Sequence, residues 1–240
     1  TDTTTLMTYG FDPKISARSP FHGALYAVVD AATKIAAMGG DYSGIRLTFQ
    51  EYYEKLGKDP EKWAKPFSAL LGALKAQMEL GIPAIGGKDS MSGSFMDLSV
   101  PPTLIAFAVA TIDAGHVVTS ELKKRGSQLV YLYSPRDENG ILNFEQYRNN
   151  MRRVRELAVA GRILSANTVG MGGLYIALVK MAAGNKIGAL LDHITEEELY
   201  RTEYGSLLLE ISGEEDIERA FSGTCFKIVG KTTEGSTLSI

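Results

Sequence analysis

The chain has 240 residues, 45% of them hydrophobic and 22% charged, with a formal net charge of −3. That length accommodates one large domain or two small ones with ordinary cores, and slight acidity without a basic block argues against nucleic acid as a partner. The single cysteine, Cys225, excludes an internal disulfide and a cysteine-rich zinc site, and no stretch approaches the roughly 20 apolar residues of a membrane span.

In chain order, Thr3 to Tyr9 predicts a Thr-rich strand ending at Gly10 and the turn-like Asp12-Pro13. From about Phe21 to Met38, Leu25, Val28, Val29, Ala32, Ile35 and Ala36 recur at helical spacing. Gly39-Gly40 closes that helix, because glycine accepts the left-handed conformation after a C-terminus. Gly44 to Phe49 makes a short strand, and a polar, aromatic segment follows from Glu51 to Lys65. Pro66 is expected to open a second helix to about Leu80, with Gly81 as its cap. Leu104 to Ile112 is continuously apolar between Pro101-Pro102 and Asp113-Ala114-Gly115, which predicts a buried central strand.

Glu121, Lys123, Lys124 and Arg125 crowd the segment from Thr119 to Gly126 and mark a domain break there. Beyond it, strands are predicted at Gln128 to Tyr133, Ser206 to Ile211 and Phe226 to Val229. Helices are predicted at Phe144 to Ala160, Leu174 to Ala183 and, briefly, Glu214 to Phe221. The basic run from Arg148 to Arg155 reads as a solvated helix face ahead of a phosphate site. Strands and helices mix without strict alternation, so the expected class is α+β, with domains at 1–118 and 119–240. The chain begins with Thr and enters a strand almost at once, so it is expected to be a piece of a longer protein, one of the cytoplasm.

The segment Gly81-Ile82-Pro83-Ala84-Ile85-Gly86-Gly87-Lys88-Asp89 nearly matches a phosphate-binding P-loop, but it is one residue too long. Asp89 also stands where Ser or Thr should hold magnesium. The remaining reading is a turn with two glycine amides, an ammonium, a carboxylate and the hydroxyls of Ser90 and Ser92. Such a turn either forms an anion-binding nest, with Lys88 adding a point charge for phosphate, or is a plain loop with solvated charges.

That same stretch through Met91-Ser92, followed by Pro101-Pro102-Thr103-Leu104, resembles the second synthetase half of the large, single-chain phosphoribosylformylglycinamidine synthases. Trp63, Lys65-Pro66-Phe67 and Leu71-Gly72-Ala73 resemble the same region. The resemblance covers nearly the whole chain, and outside the central motif it extends to the aminoimidazole ribonucleotide synthetase-like superfamily. It implies that fold, with a truncated N-terminal α/β domain lacking its first strands and a C-terminal α/β domain. It also implies an ATP- and Mg2+-dependent ligase that activates the amide oxygen of formylglycinamide ribonucleotide. Ammonia released from glutamine then displaces the phosphate. The implied partners are the first synthetase half and a glutaminase domain, and the isolated piece is expected to be inactive and to pair with a second copy.

Carried over residue by residue, the resemblance places Asp2 at a metal position with Thr1 beside an auxiliary nucleotide, and Asp30 on a helix at a second metal position. Where the family has an Asn one turn later, this chain has Lys34. The i, i+4 spacing puts Asp30 and Lys34 on one face, and an ammonium cannot coordinate magnesium and repels it. Either Lys34 replaces the metal as counter-charge to Asp2 and Asp30, or Asp30 and Lys34 are a simple exposed pair. The family's Asp-x-Ser-Asp-Gly-Gly reads here as Thr168-Val169-Gly170-Met171-Gly172-Gly173, which keeps only Gly170, Gly172 and Gly173 as nucleotide-loop candidates. Lys88, Asp89, Ser90 and Ser92 are expected at the site shared between halves, with Lys88 on substrate phosphate.

His22, in Ser19-Pro20-Phe21-His22-Gly23, is a capping residue or a substrate-site base. His116 and His193 lack a motif, and Glu196 to Glu198 suit the first turn of a helix. Cys225 has no nucleophile context, so it is not the glutaminase thiol. Two rival readings stand beside the ligase. One is a stand-alone superfamily synthetase or kinase, against which the degraded acidic motifs count. The other is a non-catalytic scaffold half.

Overall fold

The computed structural model describes residues 2–239. The chain divides into two compact units: one of Thr5–Ile35 and Tyr42–Ala110, the other of Ala36–Asp41, the residues from Thr111 on and the first few residues.

The first unit is built on β1 (Thr3–Gly10), α1 (Pro13–Arg18), α2 (Pro20–Ala37), β2 (Arg46–Tyr52), α3 (Pro60–Leu80), β3 (Ala84–Ser90), the hairpin β4 (Ser94–Phe95) and β5 (Leu98–Ser99), and β6 (Thr103–Asp113). Its sheet runs β1-β6-β2-β3. Helix α2 is buried almost all round, from Ala24 to Ala37, as a helix apolar on every face must be. Gly10, at the end of β1, allows this: a Cβ there would come within 2.0 Å of the Ala27 carbonyl oxygen.

Three expectations are corrected here. Helix α3 begins at Pro60 and carries Pro66 inside it. Asp59 is the N-cap, its side chain accepting from the Glu61 amide at 3.0 Å, and Pro60 suits the first turn because its missing N–H has no partner to lose there. Gly81 does cap the far end, at φ 67°. Strand β6 is central, but only Leu104, Ala106, Ala108, Ala110 and Ile112 are buried; the alternate residues, Val109 and Phe107 among them, face outward. The third correction concerns the glycine motif. Ala84 to Ser90 is not a turn but an edge strand, parallel to β2, with Thr48 opposite Gly86, Gln50 opposite Lys88 and Glu51 opposite Asp89. Neither Gly86 nor Gly87 takes a positive φ, so no nest forms. Gly87 is needed instead for close approach, since a Cβ there would lie 2.7 Å from the Phe49 carbonyl oxygen.

The second unit contains β7 (Gln128–Leu132), α4 (Phe144–Val159), β8 (Ile163–Thr168), α5 (Gly173–Asn185), β9 (Ala189–Leu191), α6 (Glu196–Tyr200), β10 (Leu207–Ile211), α7 (Ile217–Ala220), β11 (Phe226–Thr232) and β12 (Leu238–Ser239). Its six-stranded sheet runs β12-β9-β11-β7-β10-β8. Leu174, Leu178 and Met181 of α5 pack with Leu129 and Tyr131 of β7 and Leu208 of β10. The sequence reading missed β8, β9 and β12. Fully buried Glu210 ties the 119–126 segment to this sheet: it accepts the Lys123 and Lys124 amides at 2.8 Å each and the Ser165 hydroxyl at 2.7 Å. A buried carboxylate holding three donors is satisfied without a metal or a cation.

Candidate functional site

Asp30 and Lys34 face the same way on α2, as their spacing requires. Lys34 Nζ lies 2.6 Å from Asp30 Oδ2 and 2.7 Å from the carbonyl of Tyr9, with the Tyr9 ring centroid 4.9 Å away. The Asp30 side chain is 5% exposed and that of Lys34 34%. One ammonium therefore holds Asp30 Oδ2, and its positive charge repels a divalent ion. Magnesium does not fit this donor set. Among the described residues no group of three or more His, Cys, Asp or Glu is placed to hold a metal ion. Asp2 is exposed, and its carbonyl accepts the Ala114 amide at 2.6 Å. Thr1 lies outside the described residues.

On β3, Lys88 and Asp89 are exposed and point to opposite faces, because side chains alternate along a strand. Lys88 Nζ donates to the Asp89 carbonyl at 3.1 Å. Ser90 and Ser92 hydroxyls are 3.3 Å apart. The register sets Asp89 beside Glu51, a neighbour the sequence reading did not single out. Burial, and then the Asp89 charge, push the Glu51 carboxyl up, against the lowering effect of its hydrogen bond with Tyr53. The Tyr53 hydroxyl donates to Glu51 Oε2 at 3.1 Å, and burial with these carboxylates raises the phenol far above its usual range. No local sequence signal marks this group, since parallel pairing of β2 and β3 creates it.

His22 Nδ1 lies 2.8 Å from Ser19 Oγ, and the His22 amide donates to that same oxygen at 3.3 Å. These are capping contacts at the start of α2. In the second unit, Gly170 to Gly173 lead into α5. Gly172 has φ 86° and Gly173 φ 67°, and a Cβ on Gly173 would meet the Leu199 carbonyl oxygen at 2.4 Å. The paired glycines thus have a packing reason of their own.

No family model matches the chain. Over 198 residues, 75% of its length, it is 27% identical to the phosphoribosylformylglycinamidine synthase subunit PurL of Pyrobaculum aerophilum, and it spans 28% of that relative. It superposes on Thermotoga maritima PurL, solved in complex with FGAR, with a TM-score of 0.79 at 16% identity, covering 97% of this chain and 42% of the other. On thiamine-monophosphate kinase from Stenotrophomonas maltophilia the TM-score is 0.68 at 12% identity, covering 99% and 85%. The chain has the aminoimidazole ribonucleotide synthetase-like fold. Within that synthetase-like fold the similarity in sequence is to PurL, as the Gly86 to Ser92 motif led one to expect.

Proposed function

We propose that this chain is the second synthetase half of a phosphoribosylformylglycinamidine synthase, an ATP-dependent carbon–nitrogen ligase of the cytoplasm. The complete enzyme uses glutamine-derived ammonia to convert formylglycinamide ribonucleotide to its amidine. The observation that carries the reading is the conjunction of the Gly86 to Ser92 motif with sequence similarity to PurL over three quarters of the chain. Lys88, on an exposed edge strand, serves as a point charge for substrate phosphate, with Ser90, Ser92 and His22 as further contacts. ATP supplies the phosphoryl group that activates the amide oxygen. A first synthetase half and a glutaminase domain are the partners.

The outward face of the first unit's sheet supports pairing with another synthetase half. Met7, Tyr9, Tyr52 and Val109 are exposed there, and Tyr9 stands 6.3 Å from the Phe107 ring. Exposed apolar side chains gathered on one sheet face suit an association site, so the chain alone should self-associate into a homodimer by the same face.

Lys34 on Asp30 favours a scaffold role for the nucleotide site inherited by this half, with the chemistry carried by the other site. The test is reconstitution. The chain alone should show no ATP turnover, and adding the first half and the glutaminase should produce the amidine. Lys88→Ala should then raise KM for the ribonucleotide more than it lowers kcat. Sustained ATP turnover by the chain alone would instead identify a stand-alone enzyme.

A further inference from the structure

The second unit holds a cavity of about 450 Å3 where β7 ends, the link from α6 to β10 passes and β11 begins. Nothing in the ligase reading uses it. Its floor is Glu203, 9% exposed, clasped by two guanidiniums. Arg136 Nη2 stands 3.2 Å from one carboxylate oxygen and Arg201 Nε pairs with the other. Arg136 is further fixed by donating Nη2 to the Tyr204 carbonyl at 3.2 Å. The lining as a whole carries three cations, Arg136, Arg201 and Lys227, against two carboxylates, Glu203 and Glu198. Glu197 also meets Arg201, at 3.3 Å, but it is mostly solvent-exposed and screened, so that contact contributes little.

Lys227 brings a third cation to the same wall, 3.1 Å from both oxygens of Glu198. Glu198 Oε2 also accepts the Thr195 amide at 2.9 Å in the capping box of α6. Tyr131 and Tyr133 line the same cavity, stacked with centroids 5.4 Å apart at 27°. Burial first, and Glu203 next, push the Tyr131 phenol up to about 12, so its hydroxyl remains a neutral donor at physiological pH. The volume falls within the range of small-molecule sites, which combine an aromatic wall with a few convergent polar groups.

We propose that this cavity binds a phosphate monoester of a small ring compound, its phosphoryl group held by Arg136, Arg201 and Lys227 and its ring laid on Tyr133. Phosphate suits the site better than carboxylate because three cations converge on it and guanidinium forks match phosphate oxygens. The buried Glu203 holds the arginines in place before any ligand arrives, which lowers the ordering cost of binding. The site stands apart from the ligase reading and does not depend on it.

The test is calorimetric titration of the 240-residue chain with ribose 5-phosphate, inorganic phosphate and ribose. Ribose 5-phosphate should saturate one site, inorganic phosphate should bind more weakly, and ribose should not bind. Arg201→Gln should weaken ribose 5-phosphate about tenfold or more, the loss of a charge-assisted contact. Tyr133→Ala should weaken ribose 5-phosphate while leaving inorganic phosphate unchanged. Lys227→Met, at a half-exposed position, gives the same reading as Arg201→Gln if the latter fails to fold. No saturable binding of ribose 5-phosphate up to about 10 mM, or equal affinity in Arg201→Gln and Lys227→Met, would overturn the proposal. So would equal binding of ribose 5-phosphate and free phosphate, which would leave only an anion site.

Discussion

Replacing Lys34 by Met keeps the aliphatic stem and removes the ammonium, so it isolates the charge that pairs with Asp30. Three contacts disappear: the 2.6 Å ion pair with Asp30, the 2.7 Å hydrogen bond to the Tyr9 carbonyl and the cation over the Tyr9 ring at 4.9 Å. A charge-assisted hydrogen bond contributes about 1.5–3 kcal/mol, reduced here because the Lys34 side chain is 34% exposed and partly screened. The carbonyl bond contributes about 1 kcal/mol and the ring contact about 0.5 kcal/mol at such a site. All three share one nitrogen, so they do not add fully, and the expected loss is about 2–3 kcal/mol. Urea unfolding at pH 7, followed by circular dichroism, measures it. A Lys34→Met midpoint equal to wild type would mean the pair is an exposed helical contact of no consequence. A second arm tests the metal directly. Magnesium at about 10 mM should leave the wild-type midpoint unmoved, since only a bound ligand stabilises, whereas Lys34→Asn should gain stability with magnesium. A magnesium-dependent rise in wild type would refute the replacement of metal by Lys34.

Glu210→Ala should cost about 3 kcal/mol in urea unfolding, because it strands two backbone amides and the Ser165 hydroxyl inside the second unit, and it should open the 119–126 segment to proteases. Glu51→Gln should stabilise the chain at pH 7. The folded carboxyl is raised above its ordinary value of 4.5, chiefly by burial, so its stabilising protonated form is fully present below the unfolded pKa and lost as pH rises through the folded one. The advantage of the amide should therefore shrink toward pH 4, and a variant less stable than wild type at pH 7 would count against the burial argument. Gly87→Ala should cost about 1–3 kcal/mol by forcing a methyl against the Phe49 carbonyl. Faster amide exchange over residues 84–90 would show β3 detaching from the sheet.

How much of this was legible in the sequence depended on whether the cause was local. Helix α2 was legible because its apolar spacing and its closing glycines are set within one segment. Asp30 and Lys34 followed from the same helix. The start of helix α3 is masked because Pro66 resembles an opening signal, while Asp59 and Pro60 supply both the cap and the tolerated proline. Strand β8, with the sequence Ile-Leu-Ser-Ala-Asn-Thr, lacks a clear alternation. Its buried Ser165 finds its partner only in Glu210 on the neighbouring strand, to which it donates at 2.7 Å. Arg136, Arg201 and Glu203 come from segments about 65 residues apart, so the charge cluster exists only once β7 and β10 have paired.

The glycine motif shows most clearly what tertiary pairing adds. Gly-Gly-Lys-Asp-Ser has poor strand propensity, and alone it reads as a turn in which all its polar groups converge on one anion. Pairing with β2 makes it extended, and extension separates the groups. Lys88 shares its face with Gly86, Ser90 and Gln50, whereas Asp89 turns toward Glu51 and the Tyr53 hydroxyl. The two neighbouring charges of the motif therefore cannot act on one ligand as a unit. In the proposed function Lys88 meets a phosphate across the sheet's open face, with Gly86 keeping that face clear beside it. Asp89 acts instead through its repulsion of a half-buried carboxylate. A Lys88 defect should thus appear in substrate affinity and an Asp89 defect in the pH dependence of stability, two separable readouts from adjacent residues.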